Sequence, residues 1–178
     1  MKSPFFFLSI SCLFLASGCA HYCVPKPTVN IDDRVRKFYA SGSVTLHNNQ
    51  PSVERQLIMH PGGDSYYANP REWTDVALQL TERELAKRGL HIVSNSGKRV
   101  AMAVESVHTE YPDFISVEAH ELKTDVVLKV QTSDGYSATY TGTRYDSTAI
   151  LSHHYNKALA YAVAEMLNDE RFIAFLSK

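Results

Sequence analysis

The stretch KTDVVLKVQTSDGYSATYT, residues 123–141, decides the fold class. Thr124, Val126, Leu128 and Val130 alternate with Lys123, Asp125, Lys129 and Gln131. Successive side chains on a strand point to opposite faces, so this pattern describes a strand with one covered and one wet face. Asp134-Gly135 is a two-residue hairpin signal, after which Tyr136, Ala138 and Tyr140 alternate with Ser137, Thr139 and Thr141. An antiparallel sheet follows as the expectation.

Working outward toward the amino terminus, Val100, Met102 and Val104 begin a strand that runs toward Tyr111, and a further extended region starts at Ile115. Leu90 to Val93 reads as a short strand, Lys37 to His47 as an early one, and Val53 to His60 as another. Turns separate them at Asn48-Asn49-Gln50-Pro51, at Pro61-Gly62-Gly63-Asp64 and at Asn95-Ser96-Gly97-Lys98. A helix is announced by Asn69 as N-cap, Pro70 at the first helical position and Glu72 at capping-box spacing. Trp73, Val76, Ala77, Leu80 and Thr81 share one face, and Lys87-Arg88-Gly89 ends the helix with cations at the negative pole and a residue suited to left-handed backbone. Glu84 falls inside the apolar arc and is expected to reach its edge. Toward the carboxyl terminus, Tyr155, Ala158, Leu159, Ala162, Val163, Met166 and Leu167 form a continuous stripe on a second helix beginning near Ser152. Asp169 then caps a final turn carrying Phe172, Ile173, Phe175 and Leu176. Two helices packed on one face of one antiparallel sheet make a small two-layer α+β domain over residues 37–178.

Residues 1–18 are of another kind. Lys2 supplies one charge, and Phe5 to Ala16 form an apolar run interrupted only by Ser9, Ser11 and Cys12. That run is far shorter than the ~20 residues a membrane-spanning helix needs, and it fits a secretory signal peptide. Leu15-Ala16-Ser17-Gly18-Cys19 resembles the lipobox of bacterial lipoproteins, with Leu one position earlier than in many of them. The resemblance implies that Cys19 carries S-diacylglycerol and N-acyl chains after cleavage. An ordinary signal peptide that releases a soluble periplasmic protein is the competing reading. Ala20 after the cysteine, where inner-membrane lipoproteins of enterobacteria tend to have Asp, favours the periplasmic face of the outer membrane. Residues 19–36, with Pro25 and Pro27, read as a lipidated cysteine and flexible tether.

Lys2 is the only charged residue in the removed segment, so 17 Lys+Arg face 19 Asp+Glu in the remaining chain. A net charge of −2 gives no basis for nucleic-acid binding. With Cys12 removed and Cys19 acylated, Cys23 is left over, as a free thiol, an intermolecular bridge or an unstructured thiol with no role.

The residues give little chemistry. Ser94 to Lys98 lacks the glycine spacing and the following Ser/Thr of a phosphate loop. Eight histidines are present, His21, His47, His60, His91, His108, His120, His153 and His154, none at the i,i+4 spacing of a zinc helix. They read as surface or helix-start residues. His108, Glu110, His120 and Glu121 converge only if their strands pair. No Gly-x-Ser-x-Gly frames a serine. Tyr66, Tyr67 and Trp73 gather at the start of the first helix, either at the core's edge or along a groove for a peptide or glycan. No cofactor and no metal are expected.

From about Val44 to Leu176 the order of elements resembles the YajG-like lipoprotein family of Gram-negative bacteria. The likeness lies in the lipidated cysteine, the capped helix ending in Lys87-Arg88-Gly89, the strands with their hairpin, and the helix containing Ala158-Leu159-Ala160-Tyr161-Ala162-Val163 that ends near Asn168-Asp169. It implies location and fold, with no catalytic signature. Two functions remain open: a non-enzymatic envelope lipoprotein with an envelope protein partner or self-association, including an accessory subunit of a transport or secretion complex, and a periplasmic hydrolase or metal-dependent enzyme using some of His108, Glu110, His120 and Glu121.

Overall fold

The computed structural model describes residues 18–61, 63–110, 122–146 and 151–178, with the backbone alone for residues 146 and 151–153. Residues 1–17 of the expected signal peptide, Tyr111, Ile115, His120 and Glu121 lie outside the described residues. Among the described residues eight strands and three helices follow in the order β1 (Ala20–Tyr22), β2 (Ser43–Asn48), β3 (Gln56–Met59), β4 (Ser65–Ala68), α1 (Pro70–Lys87), β5 (His91–Ile92), β6 (Arg99–Glu110), β7 (Leu122–Thr132), β8 (Ser137–Asp146), α2 (Leu151–Asn168) and α3 (Glu170–Ser177). The α+β reading holds. The main sheet has the order β5-β2-β6-β7-β8, and a second sheet has the order β1-β4-β3.

The hairpin register is as the alternation requires. Thr124, Val126, Leu128 and Val130 are wholly buried, and Lys129 and Gln131 pair outward with Thr139 and Ser137. The turn is one residue longer than a two-residue loop. Gly135 N donates to Thr132 O at 3.0 Å and Thr132 N to Tyr136 O at 2.9 Å, so three residues make the connection.

Two features depart from one purely antiparallel sheet. β2 pairs in parallel with both β5 and β6, because α1 lies in the crossover between β2 and β5. β6 carries a bulge between Val104 and Ser106. Without the extra residue, Val107 and Thr109 would face solvent; with it they rejoin Val100, Met102 and Val104 on the covered face. β2 ends at Asn48, and Val104 beyond it is served by side chains instead. Its N–H donates to Thr74 Oγ1 at 2.8 Å, and its carbonyl accepts from Gln50 Nε2 at 2.6 Å.

The early strand starts later than Lys37. Gly42 has a φ of 98°, and Ala40 N is bonded to Arg88 O at 3.1 Å, so residues 37–42 wrap the end of α1 and the ladder begins at Ser43. α1 is capped as read: Asn69 Oδ1 accepts from Arg71 N at 2.9 Å. Glu72 turns away from the expected capping box and accepts from Tyr22 Oη at 2.7 Å. Asp169 caps α3 through Arg171 N at 2.8 Å and Phe172 N at 3.0 Å.

α1 packs on β2 and β6, and α2 on β7 and β8. Trp73, fully buried, meets the Tyr155 ring edge-on at 5.8 Å and joins the two helices. Truncating such an aromatic costs about 3–5 kcal/mol. β8 lies directly against α2 at Gly142, where a methyl group would overlap the backbone of Ala158 and Ala162.

Candidate functional site

The site is built around Cys19 and the segment behind it. Cys19 is exposed and free of any disulfide. Its N–H donates to Asp64 Oδ1 at 2.9 Å, and its carbonyl accepts from Ser65 N at 3.0 Å. Three residues of parallel ladder follow, Ala20 with Ser65, His21 with Tyr66 and Tyr22 with Tyr67. The His21 ring stacks on Tyr66 at 4.6 Å, and Cys23 N donates to Tyr67 O at 2.8 Å.

Residues 20–36 are therefore no free tether in this structure, and the sequence expectation is corrected. Trp73 Nε1 donates to Cys23 O at 2.9 Å, and Lys26 N to Asn156 Oδ1 at 2.8 Å. Arg83 reaches the carbonyls of Pro27 and Val29 with its two terminal nitrogens. Lys87 Nζ lies 2.6 Å from Asp32 Oδ1. Ile31 is wholly buried and Val35 nearly so. Asn168 closes the path at the end of α2, accepting from Arg36 N at 2.8 Å and donating to Arg34 O at 2.7 Å. The segment is a strap laid across both helices. Proline favoured extended backbone there, and side chains distant in sequence supply its partners.

Glu84 is the hub of that strap, and its position corrects the reading of an edge carboxylate. It is fully buried, 2.9 Å from Lys87 Nζ, 3.0 Å from Arg88 Nη1 and 3.3 Å from Arg83 Nε. The charge is compensated by three cations, as burial demands. All three lie within four positions of Glu84, so the i,i+3 and i,i+4 spacing was the signal available in the sequence. Asp32 is held below the usual carboxylate range by its hydrogen bond to Lys87.

Two clefts flank the strap. One of about 480 Å³ is lined by Val24, Lys26, Thr28, Val29, Asn30, Asn156 and Lys157. One of about 270 Å³ is lined by Asp32, Val35, Lys37, Phe38, Tyr39, Lys87 and Arg88. Neither holds a nucleophile beside a general base.

Cys23 is half-buried and packs against the core, so it is no unstructured thiol. Burial pushes its thiol up, against the lowering effect of Tyr155. A raised thiol is a poor nucleophile and a poor metal ligand.

The histidine and glutamate candidates are dispersed or used. His108 and Glu110 lie on the outer face of β6, opposite Asp125 and Lys123. Lys123 Nζ sits 2.9 Å from Asp125 and 3.3 Å from Glu110, and these two bonds hold its ammonium up at about 12. His120 and Glu121 lie outside the described residues. Among the described residues no group of three or more His, Cys, Asp or Glu is placed to hold a metal. His154 departs from the surface reading, being 1% exposed. Tyr66 and Trp73 join or flank the core, and Tyr67 lies on the outer row of the small sheet.

A second polar cluster ties the hairpin to the last helix. Tyr136 Oη lies 3.2 Å from Tyr140 Oη and donates to Asp169 Oδ2 at 2.8 Å. Burial, with Tyr136 beside it, drives the Tyr140 phenol far upward, which leaves it a neutral structural donor.

No family model and no curated protein matches the chain. Solved structures to which the chain is similar include a Xanthomonas campestris protein of family DUF330, 13% identical over 85% of this chain and 93% of that one, at a TM-score of 0.42. A minor lipoprotein from Acinetobacter baumannii is 8% identical over 76% of this chain and 91% of that one, at 0.36. A PelC dodecamer from Paraburkholderia phytofirmans is 17% identical over 73% and 90%, at 0.35. None of these identities or scores assigns the chain to a family or a function. Among the described residues no helix is long and apolar enough to cross a membrane.

Proposed function

We propose that the chain is a non-enzymatic bacterial envelope lipoprotein, anchored through acylated Cys19 on the periplasmic face of the outer membrane, whose domain binds an envelope protein or a second copy of itself. The observation that carries the anchor is Cys19 itself: a lipobox-like cysteine, exposed and unbridged at the foot of β1. Two or more acyl chains give stable attachment where one does not. Support for a binding role comes from β8. This ten-residue strand has β7 on one side and, among the described residues, no other strand of the sheet on the other. It contains no proline, and Thr139, Thr141 and Thr143 line its outer face. Such an edge accepts a further strand through main-chain hydrogen bonds.

Two measurements test the two halves. Metabolic labelling with a fatty-acid analogue should mark the wild type and Cys23→Ser but not Cys19→Ser, which should also leave the membrane fraction. Normal labelling of Cys19→Ser would remove the anchor. A photo-crosslinking residue at Thr141 should capture a protein partner or a second copy in intact cells. Recovery of the monomer alone counts against binding along β8.

A further inference from the structure

Because Cys19 is bonded to Asp64 and Ser65 rather than set on a loose linker, the place where lipid enters the chain fixes what else lies near the membrane. The small sheet has two faces. Tyr66 and Ala68 of β4 turn toward the core, so Tyr67 turns away from it. The register puts Tyr22 of β1 and Leu57 of β3 on either side of Tyr67. The result is a cross-strand row of two tyrosines and a leucine on the outward face, with Tyr22 at 41% and Leu57 at 54% exposure. The Arg55 guanidinium lies over the Tyr22 ring at 4.7 Å.

We propose that this face beds in the headgroup layer of the membrane that receives the Cys19 lipid. The inference rests on acylation of Cys19. Tyr22 is three residues along an extended strand from Cys19, about 10 Å, and Leu57 is two strands across, about 10 Å sideways. The interfacial layer on each side of a bilayer is only about 5–7 Å deep. A sheet standing upright would lift Tyr22 clear of that layer, whereas a sheet lying flat places the whole row within it. Tyrosine favours this depth, with its ring in the apolar margin and its hydroxyl in water. Tyr22 fits, since its hydroxyl is bonded to Glu72 while its ring carries an arginine that can meet lipid phosphate. Leu57 supplies the apolar contact, and the strap prevents the domain from rotating away about a flexible stem.

The test uses the lipidated chain purified from membranes and returned to vesicles of phosphatidylethanolamine and phosphatidylglycerol. In a Cys23→Ser background, a nitroxide is attached at Leu57→Cys or at Asn95→Cys. Asn95 is an exposed control in the loop before β6. That loop lies about 30 Å along β6 from Thr109, which is the end near the small sheet. At position 57 the ratio of collisions with oxygen to collisions with a water-soluble nickel reagent should rise severalfold over position 95. Flotation with the vesicles and a label at 57 as water-exposed as at 95 overturns this inference and leaves the anchor standing. A chain that carries no lipid and fails to float removes both.

Discussion

Along residues 20–36 the chain is held by hydrogen bonds and ion pairs from side chains 50 to 134 positions away. Where α2 crosses β8, backbone lies against backbone, because Gly142 offers no side chain between Ala158 and Ala162. The strap is an assembly of polar contacts, several of them exposed to solvent, that can be removed one at a time. The seam is a matter of shape and fails at once. The two regions divide the work: the seam sets global stability, and the strap sets where Cys19 points. Variants that act on one region and spare the other can break this division.

The largest effect is expected at the seam. Gly142→Ala forces a methyl group into the α2 backbone, where the neighbour cannot yield as a flexible side chain would. Overpacking of buried sites costs about 1–3 kcal/mol and occasionally more, and a backbone overlap belongs at or above the top of that range. Each kilocalorie lowers the melting temperature of a chain this size by about 2–4 °C. Thermal unfolding followed by circular dichroism should show a drop of roughly 6–12 °C on that scaling. A drop below 2 °C would mean that α2 slides on β8, and the seam would lose its claim to rigidity.

Next comes Glu84. Glu84→Gln leaves Arg88, itself 8% exposed, without its carboxylate, and breaking a buried pair from one side costs about 3–5 kcal/mol. Replacing both partners, as Glu84→Leu with Arg88→Met, removes the charges together and should recover most of that loss. The comparison sharpens in a second readout. Hydrogen exchange at strap amides such as Val35 N, which is bonded to Ile31 O at 3.1 Å, should remain faster in the double variant, because Lys87 has lost half of its partners. A double variant with full stability and unchanged strap exchange would show that the ion cluster does not position the strap.

The two regions also differ in how far the sequence discloses them. The caps Asn69 and Asp169 and the alternation of β7 are legible because the physics is local: a side chain bonds a backbone group two or three residues on, or side chains alternate on a pleat. The bulge at Val104 was hidden because an extra residue reverses the alternation only once the partner strand is known. Parallel pairing of β2 with β6 was hidden for the same long-range reason. The strap reads as a tether because its composition is proline-rich and polar, while its partners Trp73, Arg83, Asn156 and Asn168 stand elsewhere in the chain. At the candidate site, the small-residue run before Cys19 is what singles it out in the sequence, whereas the row of Tyr22, Tyr67 and Leu57 exists only through strand register. Glu84 could have been recognised from Lys87 and Arg88 one helical turn away.

The smallest effect, and the one that isolates the strap, is the response of its outer ion pair to pH. The Lys87 hydrogen bond draws Asp32 below the ordinary carboxylate value of about 3.9. A group whose folded value is depressed contributes stability above its unfolded value and loses it as pH falls through the folded one. Lys87 is shifted the other way: desolvation lowers it, but Asp32 and Glu84 outweigh this and raise it above about 10.4. Its contribution is therefore complete below that value and lost as pH rises through the raised one. The strap is latched between these limits and loosens at both extremes. Both groups are substantially exposed, so the effect on global melting should be slight, in keeping with the modest worth of surface pairs. The local effect should be clear. Between pH 5 and pH 3, exchange at Val35 N, corrected for its intrinsic pH dependence, should quicken relative to amides in β7, and Asp32→Asn should already show the quickened rate at pH 5. Equal protection of the strap in Asp32→Asn and the wild type across that range would assign the hold to buried Ile31 and the Arg83 contacts alone, and the division between polar strap and packed seam would narrow to those two residues.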